Sequence, residues 1–232
     1  MDAPPRMELR YRLIRAFLRL AFSILGRVHV QGLEKLPRRG RLILVTNHLH
    51  LFDPPLIMAV APLRIIVLAA EKWERRPPLS VLFKLLNAVF VNRGTPDLAA
   101  LRRIERVLQQ GGVVGIAPEG TRSPTKALQH GKGGAALLAS RTGATLVPIA
   151  VYGHERIGHE LLRLRRAEIH VIVGDPFSLP APSRTNRRQQ LQEMTTEIMV
   201  RLARLLPPAY RGVYAPLLAA EEAGGQEASP AA

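Results

Sequence analysis

The amino-acid sequence predicts an α/β fold in which helices cover a mostly parallel, mixed sheet, with a basic amphipathic helix at the N-terminus. Six short runs rich in Val and Ile alternate along the chain with stretches of helical periodicity. Alternation of strands with helices is typical of a parallel sheet that is covered on both faces. The length of 232 residues is close to that of one ordinary α/β domain.

The first predicted element is a helix over residues 8–26. Its apolar residues recur at helical spacing, and they include Leu9, Leu13, Phe17, Leu20 and Ile24. Arginines are interleaved with them, at positions 10, 12, 15 and 19. A basic amphipathic helix of this kind suits a membrane interface. The alternative is a helix that packs on its own domain and keeps its arginines at the rim.

The sequence contains no predicted transmembrane helix, because no run reaches the roughly 20 mostly apolar residues that a span requires. The best candidate, residues 16–26, is short, contains Arg19 and lacks the small-residue cleavage site of a signal peptide. We therefore expect a peripheral or monotopic protein at the cytoplasmic face of a membrane.

The predicted strands and the remaining helices follow in order. The strands are residues 41–46, 64–70, 88–91, 112–117, 145–151 and 168–173, and the helices are residues 96–110, 133–143 and 186–206. Residues 77–91 form an apolar segment in which only Lys84 is charged, and we interpret it either as core or as a patch that faces lipid or an acyl chain. Sites in parallel sheets form at the carboxyl ends of strands, so the loops after 41–46 and 112–117 are the candidate site loops.

We divide the chain into an amphipathic helix over residues 1–30, one α/β domain over residues 31–212 and a tail over residues 213–232. The end of the chain is polar, small and Gly-rich, and we expect the tail to be largely disordered. The sequence has no cysteine, which excludes disulfides and thiolate metal sites.

The charge of the chain indicates an anionic partner. Lys and Arg number 33 against 18 Asp and Glu, a net charge of +15. Such a field favours nucleic acid, an anionic membrane or phosphorylated substrates, and the alternative is an ordinary solvated surface. A nucleic-acid-binding protein is the rival hypothesis. Against it, the sequence has no recognition motif, and the aromatic content of 5% is low for stacking on bases.

The loop after residues 41–46 contains a possible general base. The Asp53 carboxylate is close enough in sequence to accept a hydrogen bond from one ring nitrogen of His48, which would leave the other nitrogen free to take a proton. Asp53 also precedes Pro54, so capping of the next helix is an alternative role. His50 with His48 and Asp53 invites a metal-site interpretation. The other histidines are scattered, and we predict no metal.

The loop after residues 112–117 offers groups that suit a phosphate. Gly120 permits a tight turn, Thr121 offers a hydroxyl, and Arg122 offers a planar fork. Glu119 can hold a cation or a substrate hydroxyl. Further candidate cations are Arg93 and Lys132. The sequence has no G-x-S-x-G elbow and no P-loop, and a base without a covalent nucleophile suits direct transfer to a hydroxyl.

Four ordered blocks complete the motif pattern: NHLHLFD, AVFVNR, APEGTRS and LVPIAV. They resemble the blocks of the 1-acylglycerol-3-phosphate acyltransferase family, the first of which is N-H-x-x-x-x-D and the third usually F-P-E-G-T-R-S. The resemblance covers residues 41–151, about half of the chain. It departs from the family at Ala117, which stands in place of the usual aromatic residue. The family's fold, an α/β sheet with covering helices, agrees with the strand and helix pattern.

The resemblance implies specific roles for residues of these blocks. His48 and Asp53 are then the catalytic pair, and residues 31–212 are an acyltransferase domain. The implied substrate-binding residues are Asn47, Arg93, Glu119, Gly120, Thr121, Arg122 and Lys132. Pro148 is the proline of the fourth block. His50 falls at a variable position of the first block, so no catalytic role is carried to it.

The implied reaction moves a fatty acyl group from acyl-CoA or acyl-carrier protein to the free hydroxyl of lysophosphatidate, giving phosphatidate. No cofactor is expected beyond the acyl donor, and the expected partners are a lysophospholipid, the donor and an anionic membrane surface. Another lysolipid acceptor is one alternative. A lipid hydrolase that uses water in place of the acceptor and a non-catalytic membrane adaptor are others.

Overall fold

Seven strands form one sheet in the computed structural model, which describes residues 8–74, 77, 80–81, 83, 88–91, 97–181 and 185–227. The strands are β1 (Gly26–Gln31), β2 (Leu42–Thr46), β3 (Ile65–Ala70), β4 (Val89–Val91), β5 (Val113–Ile116), β6 (Thr145–Tyr152) and β7 (Ala167–Val173). Their order across the sheet is β1-β7-β6-β2-β5-β3-β4.

The sheet is mostly parallel and mixed, as predicted. Strands β6, β2, β5, β3 and β4 run in one direction. Strand β7 is antiparallel to β6, and β1 pairs in parallel with β7. The two strands at one edge therefore run against the other five.

The helices lie on both faces of the sheet. They are α1 (Leu9–Leu25), α2 (Asp53–Val60), α3 (Leu98–Gln109), α4 (Gly134–Thr142), α5 (Ile157–Leu162), α6 (Arg187–Arg204) and α7 (Ala215–Glu227). Short 3-10 turns occur at Leu33–Lys35, Glu71–Trp73, His154–Arg156, Pro208–Tyr210 and Gly212–Tyr214. The Asp97 side chain accepts from the backbone N–H of Ala100 at 2.9 Å, so it caps α3.

Successive residues of β2 point to opposite faces of the sheet, because the side-chain period of a strand is two. Leu42 and Leu44 belong to the apolar cluster that includes α1 and α2. Ile43 and Val45 belong to the cluster formed with α3, α4 and α6. All five residues of β2 are buried, which explains why the strand reads as a continuous apolar run.

The N-terminal segment differs from its predicted boundary. Strand β1 was not predicted, since only Val28 and Val30 mark it as apolar and it lies at the sheet edge. It pairs with β7, and α1 buries Tyr11 and Phe22 against the domain. Residues 8–30 are therefore built into the same unit as the remainder of the chain.

Helix α1 also has a second apolar face, which stays uncovered. Its side chains remain 60% to 70% exposed, and they are Leu9, Leu13, Phe17, Leu20 and Ile24. One face of the helix therefore packs on the domain, as the second interpretation predicted, while a separate apolar stripe faces outward. Binding of this stripe to a membrane stays a prediction. Among the described residues, no helix is long and apolar enough to cross a bilayer.

The C-terminal segment is more ordered than predicted. In place of a disordered tail from residue 213, the chain forms a 3-10 turn and then α7. Tyr214 and Leu218 are buried in a cluster that includes Leu202 and Leu206, and this apolar burial offsets the entropy of ordering the helix. The helix was not predicted because its second half is rich in small and polar residues, which give no helical periodicity of apolar residues. Most of the apolar segment 77–87 lies outside the described residues.

Candidate active site

The site forms where three neighbouring parallel strands end. Strand β2 lies between β6 and β5 and runs parallel to both, so the loops after all three meet at one edge of the sheet. These are the loop of residues 47–52, the loop that begins at Ala117, and the turn that leads from Tyr152 to His154.

The predicted pair is in direct contact. His48 Nδ1 lies 2.5 Å from Asp53 Oδ2, and the Asp53 side chain is only 1% exposed. Asp53 is the first residue of α2, so Phe52 and not Asp53 occupies the N-cap position. The predicted capping role is therefore wrong, because the carboxylate instead accepts from His48, from His154 and from the backbone N–H of His50.

The surroundings keep Asp53 ionised. Burial raises its pKa, but hydrogen bonds from His154 and His48 outweigh burial and hold the pKa below its usual value. An ionised carboxylate accepts the Nδ1 proton of His48, which leaves the His48 Nε2 lone pair free. No group of the described residues bonds that Nε2 in the structure. The pair therefore has the tautomer that a general base requires.

His154 is a site residue that sequence reasoning missed. Its Nε2 bonds Asp53 Oδ1, and its side chain is fully buried. Gly153 makes the turn that returns His154 to the site: its φ is +89°, and an added Cβ would lie 2.0 Å from the Glu168 carbonyl oxygen, so only glycine fits. The available signal was position, since His154 follows the carboxyl end of a parallel strand.

Glu119 and Asn47 lie at the site but support the backbone. Glu119 is buried, with one oxygen accepting from the His48 N–H at 2.8 Å and the other from the Gln129 N–H at 3.0 Å. The Asn47 amide bonds both the N–H and the carbonyl of Val151, at 2.9 and 2.7 Å. These contacts assign both residues to positioning the loops, which differs from the substrate contact predicted for them.

His50 contributes its backbone to the site. Its N–H donates to both Asp53 oxygens, at 3.2 and 3.0 Å. The ring, in contrast, stacks edge-on against Phe52 and accepts from the Phe52 N–H at 3.4 Å. The His50 side chain is therefore not bonded to the carboxylate. The described residues contain no group of three or more side chains that is suited to a metal ion.

Two cavities meet at His48. The larger, of about 190 Å³, is lined by Lys132 and Gly120 and by apolar residues that include Ile57, Ile65, Val67, Leu68, Val91 and Ala117. The smaller, of about 90 Å³, is lined by His48 together with Thr121, Arg122, Trp73 and Phe83. His48 thus faces an apolar space and a space bordered by a guanidinium.

The predicted phosphate-binding residues divide between these cavities. The Lys132 side chain packs against Gly120, where an added Cβ would lie 3.0 Å from Lys132 Cδ. The φ of Gly120 is +71°, a conformation that also favours glycine. Thr121 and Arg122 are exposed at the entrance of the smaller cavity. Arg93 lies outside the described residues. Ala117 lines the larger cavity, so its small side chain leaves open space where the family usually has an aromatic ring.

Residues 27–152 match the family model described as Acyltransferase, and this match covers more than half of the chain. The chain belongs to the acyltransferase family. The resemblance recognised from the four sequence blocks is therefore confirmed, and the matched residues of this acyltransferase-family chain include His48, Asp53 and Glu119.

Curated relatives are consistent with this assignment. The chain is 26% identical over 148 residues to the 1-acyl-sn-glycerol-3-phosphate acyltransferase of Borreliella burgdorferi, covering 62% of this chain and 59% of that protein. It is 26% identical over 196 residues to the protein of the same name from Bacillus subtilis, covering 84% of this chain and 96% of that protein. The chain thus spans less than two thirds of the first relative and nearly all of the second.

A solved structure has a similar fold. The crystal structure of the 1-acyl-sn-glycerophosphate (LPA) acyltransferase of Thermotoga maritima superposes with a TM-score of 0.65, at 23% sequence identity. The superposition covers 96% of this chain and 81% of that one. At this identity the likeness concerns the fold alone, and it confirms the predicted α/β class.

Proposed function

We propose that this chain transfers a fatty acyl group from a thioester donor to the free hydroxyl of lysophosphatidate, which gives phosphatidate. The observation that carries the proposal is the His48–Asp53 pair, which lies between a mostly apolar cavity and a second cavity bordered by Arg122. The names of the Borreliella and Bacillus relatives support lysophosphatidate as the acceptor. The donor is a thioester of coenzyme A or of acyl-carrier protein.

His48 is the general base of the proposed reaction. Its Nε2 takes the proton of the acceptor hydroxyl while the hydroxyl oxygen attacks the thioester carbonyl. The carbon–sulfur bond then breaks, and the imidazolium returns the proton to the thiolate that leaves. Asp53, ionised and bonded to Nδ1, stabilises the imidazolium. General-base assistance of this type contributes roughly 10²- to 10⁴-fold in rate.

The two cavities suit the two ends of the reaction. The larger cavity has apolar walls from α2, β3 and β4, which suit an acyl chain. Arg122 and Thr121 border the smaller cavity, and a guanidinium fork with a hydroxyl suits the acceptor phosphate. A phosphate bound there would hold the lysophosphatidate hydroxyl near His48, and such positioning contributes to the rate by lowering the entropy cost of the encounter.

The exposed stripe of α1 suits a membrane surface. Its five apolar side chains project away from the domain, and the helix also has four arginines. Apolar residues inserted at the interface, together with cations near anionic headgroups, stabilise peripheral binding. We therefore propose that the chain docks on an anionic membrane through this stripe, from which a lipid acceptor has direct access to the site.

Acyl transfer is tested with His48→Ala, and His50→Ala is the matched control from the same loop. We expect His48→Ala to lower the turnover of acyl-CoA with lysophosphatidate at least 100-fold, while His50→Ala keeps activity within about threefold, since the His50 ring makes no bond to Asp53. Formation of labelled phosphatidate and release of thiol are measured together. Retained turnover in His48→Ala would refute the mechanism, and thiol release that does not require lysophosphatidate would identify a hydrolase.

A further inference from the structure

The catalytic carboxylate is held between two histidines. Asp53 Oδ2 bonds His48, while Asp53 Oδ1 bonds His154 Nε2 from the opposite side. His154 has no exposed surface, and Asp53 is 1% exposed, so the bond between them is buried. The His50 N–H donates to both oxygens. Among the described residues, the carboxylate therefore accepts from three groups: the two histidine rings and this N–H.

We propose that His154 is a positioning residue for acyl transfer: as a donor to Asp53 Oδ1, it holds the carboxylate in the plane in which Oδ2 meets His48 Nδ1. The inference rests on the proposed function, in which His48 is the base. His154 does not line either cavity at His48, so it acts through Asp53 and not on the substrate.

The bond from His154 is needed because the Asp53 carboxylate is buried. A buried charge that loses a hydrogen-bond donor is destabilised by the desolvation of the unpaired oxygen. The side chain then rotates toward other donors or takes up a proton. Either change removes the acceptor that keeps the Nδ1 proton on His48, and with it the free lone pair at Nε2.

The outer side of the His154 ring has an uncommon environment. Its Nδ1 lies 3.8 Å from Glu155 Oε2, and both atoms are buried without a hydrogen bond among the described residues. The other Glu155 oxygen accepts from the Tyr210 hydroxyl at 2.7 Å. Burial of Tyr210, and to a smaller extent this hydrogen bond, raises the pKa of Tyr210 to about 12. Among the described residues, the His154 ring therefore makes one hydrogen bond, to Asp53.

Substitutions at position 154 separate positioning from packing. Gln places its Nε2 amide near the position of the imidazole Nε2 and remains a donor, Leu keeps the bulk without a donor, and Asn has a donor that is one bond too short. We expect His154→Leu and His154→Asn to lower kcat 30- to 300-fold with KM for the acceptor changed less than threefold. His154→Gln should stay within about fivefold of wild type. His159→Gln, at an exposed histidine, is the matched control and should be unchanged.

A spectroscopic measurement follows the His48 proton directly. In protein with ¹⁵N-labelled histidine, the short Nδ1–H bond to Asp53 should give a far-downfield proton resonance, identified by its loss in His48→Gln. We expect this resonance to persist in His154→Gln and to vanish or broaden in His154→Leu and His154→Asn. Circular dichroism and thermal unfolding establish that each variant is folded, and if His154→Leu fails to fold, the Asn and Gln pair makes the same comparison.

Three results would overturn the inference: wild-type kcat in His154→Asn, equal losses in the Gln and Asn variants, or a loss confined to KM. The proposed function fails separately, if wild-type protein transfers no acyl group to lysophosphatidate. In that case the resonance measurement still decides whether His154 positions Asp53.

Discussion

The carboxylate of Glu119 accepts a hydrogen bond from the backbone N–H of His48 at 2.8 Å, and this bond joins the loop after β5 to the loop after β2. The second Glu119 oxygen accepts from the Gln129 N–H at 3.0 Å. In the reverse direction, the Ser123 N–H donates to the His48 carbonyl at 2.8 Å. The backbone N–H and carbonyl of His48 are thus both bonded by the loop after β5.

Glu119→Gln should slow acyl transfer without direct contact to substrate. Both Glu119 oxygens accept from backbone N–H groups. In Gln, an NH₂ group replaces one oxygen and is repelled by the N–H that this oxygen accepted from, so we expect the loop at His48 to shift. We expect a 10- to 100-fold loss in kcat and a loss of about 1–3 kcal/mol in the free energy of unfolding. Steady-state kinetics and urea unfolding measure the two effects. Glu193→Gln, on the exposed face of α6, is the control, and identical behaviour of the two variants would contradict the assigned role.

Asp53 should make the protein sensitive to acid in a defined range. Burial raises its pKa, but the bonds from His154 and His48 bring it below the ordinary value of 3.8. A lowered carboxyl pKa stabilises the folded state fully above the unfolded pKa, and this contribution is lost as the pH falls through the folded pKa. We expect wild type to exceed Asp53→Asn in the free energy of unfolding at about pH 5, with the difference shrinking below about pH 3.8.

Urea unfolding of the two proteins over a pH series measures this difference. The control is Asp175→Asn, because Asp175 is 78% exposed and pairs with Lys35 at the surface. A difference for Asp53→Asn that persists unchanged down to about pH 2 would mean that the carboxylate gains nothing from its two histidines.

Gly115 should set how much acyl chain the larger cavity admits. It lines that cavity from the middle of β5, and an added Cβ would lie 3.2 Å from Ile65 and 3.8 Å from Val67. Gly115→Val therefore narrows the cavity at the site of the added methyl groups. We expect kcat/KM for a long-chain acyl-CoA to fall at least tenfold more than for a short-chain one, since one misplaced methylene is worth roughly tenfold or more in a tight apolar pocket.

The donor series is run alongside Gly134→Ala, because a methyl group added at that helical glycine meets nothing within 4 Å. Equal losses for short and long donors in Gly115→Val would place the acyl chain elsewhere.

The exposed stripe of α1 should control membrane binding. In Leu13→Gln/Phe17→Gln, two side chains that are 62% and 68% exposed lose their apolar character, while the buried face of the helix is untouched. Insertion of one such side chain is worth about 1.5–3 kcal/mol, so partitioning into anionic vesicles should fall roughly tenfold or more per residue. Sedimentation with vesicles gives the partition coefficient. Leu162→Gln changes a leucine on α5 that is even more exposed, at 88%, and it should bind like wild type. A stripe variant that also binds like wild type would refute the docking surface.

The sequence alone determined the α/β class, the positions along the chain of six of the seven described strands, and the His48–Asp53 pair. Hydrophobic periodicity predicts which residues face the core, and two residues only five positions apart, one in the loop and one at the start of α2, are near each other whatever the fold. The edge strand β1 and helix α7 were missed because their local patterns are weak, and their stability comes from pairing with β7 and from the apolar cluster around Tyr214 and Leu218.

Only the tertiary structure decided what surrounds the His48–Asp53 pair. His154 is 101 residues away from Asp53 in sequence, and it reaches the carboxylate because β6 lies beside β2 in the sheet. Glu119 and Asn47 were assigned to substrate by their motif, whereas their partners are backbone groups of neighbouring loops and strands. Strand order determines which loops meet, and it follows from packing the whole sheet between its helices. A local pattern therefore identified the proposed base and the carboxylate bonded to it, while packing brought a second histidine into contact with that carboxylate.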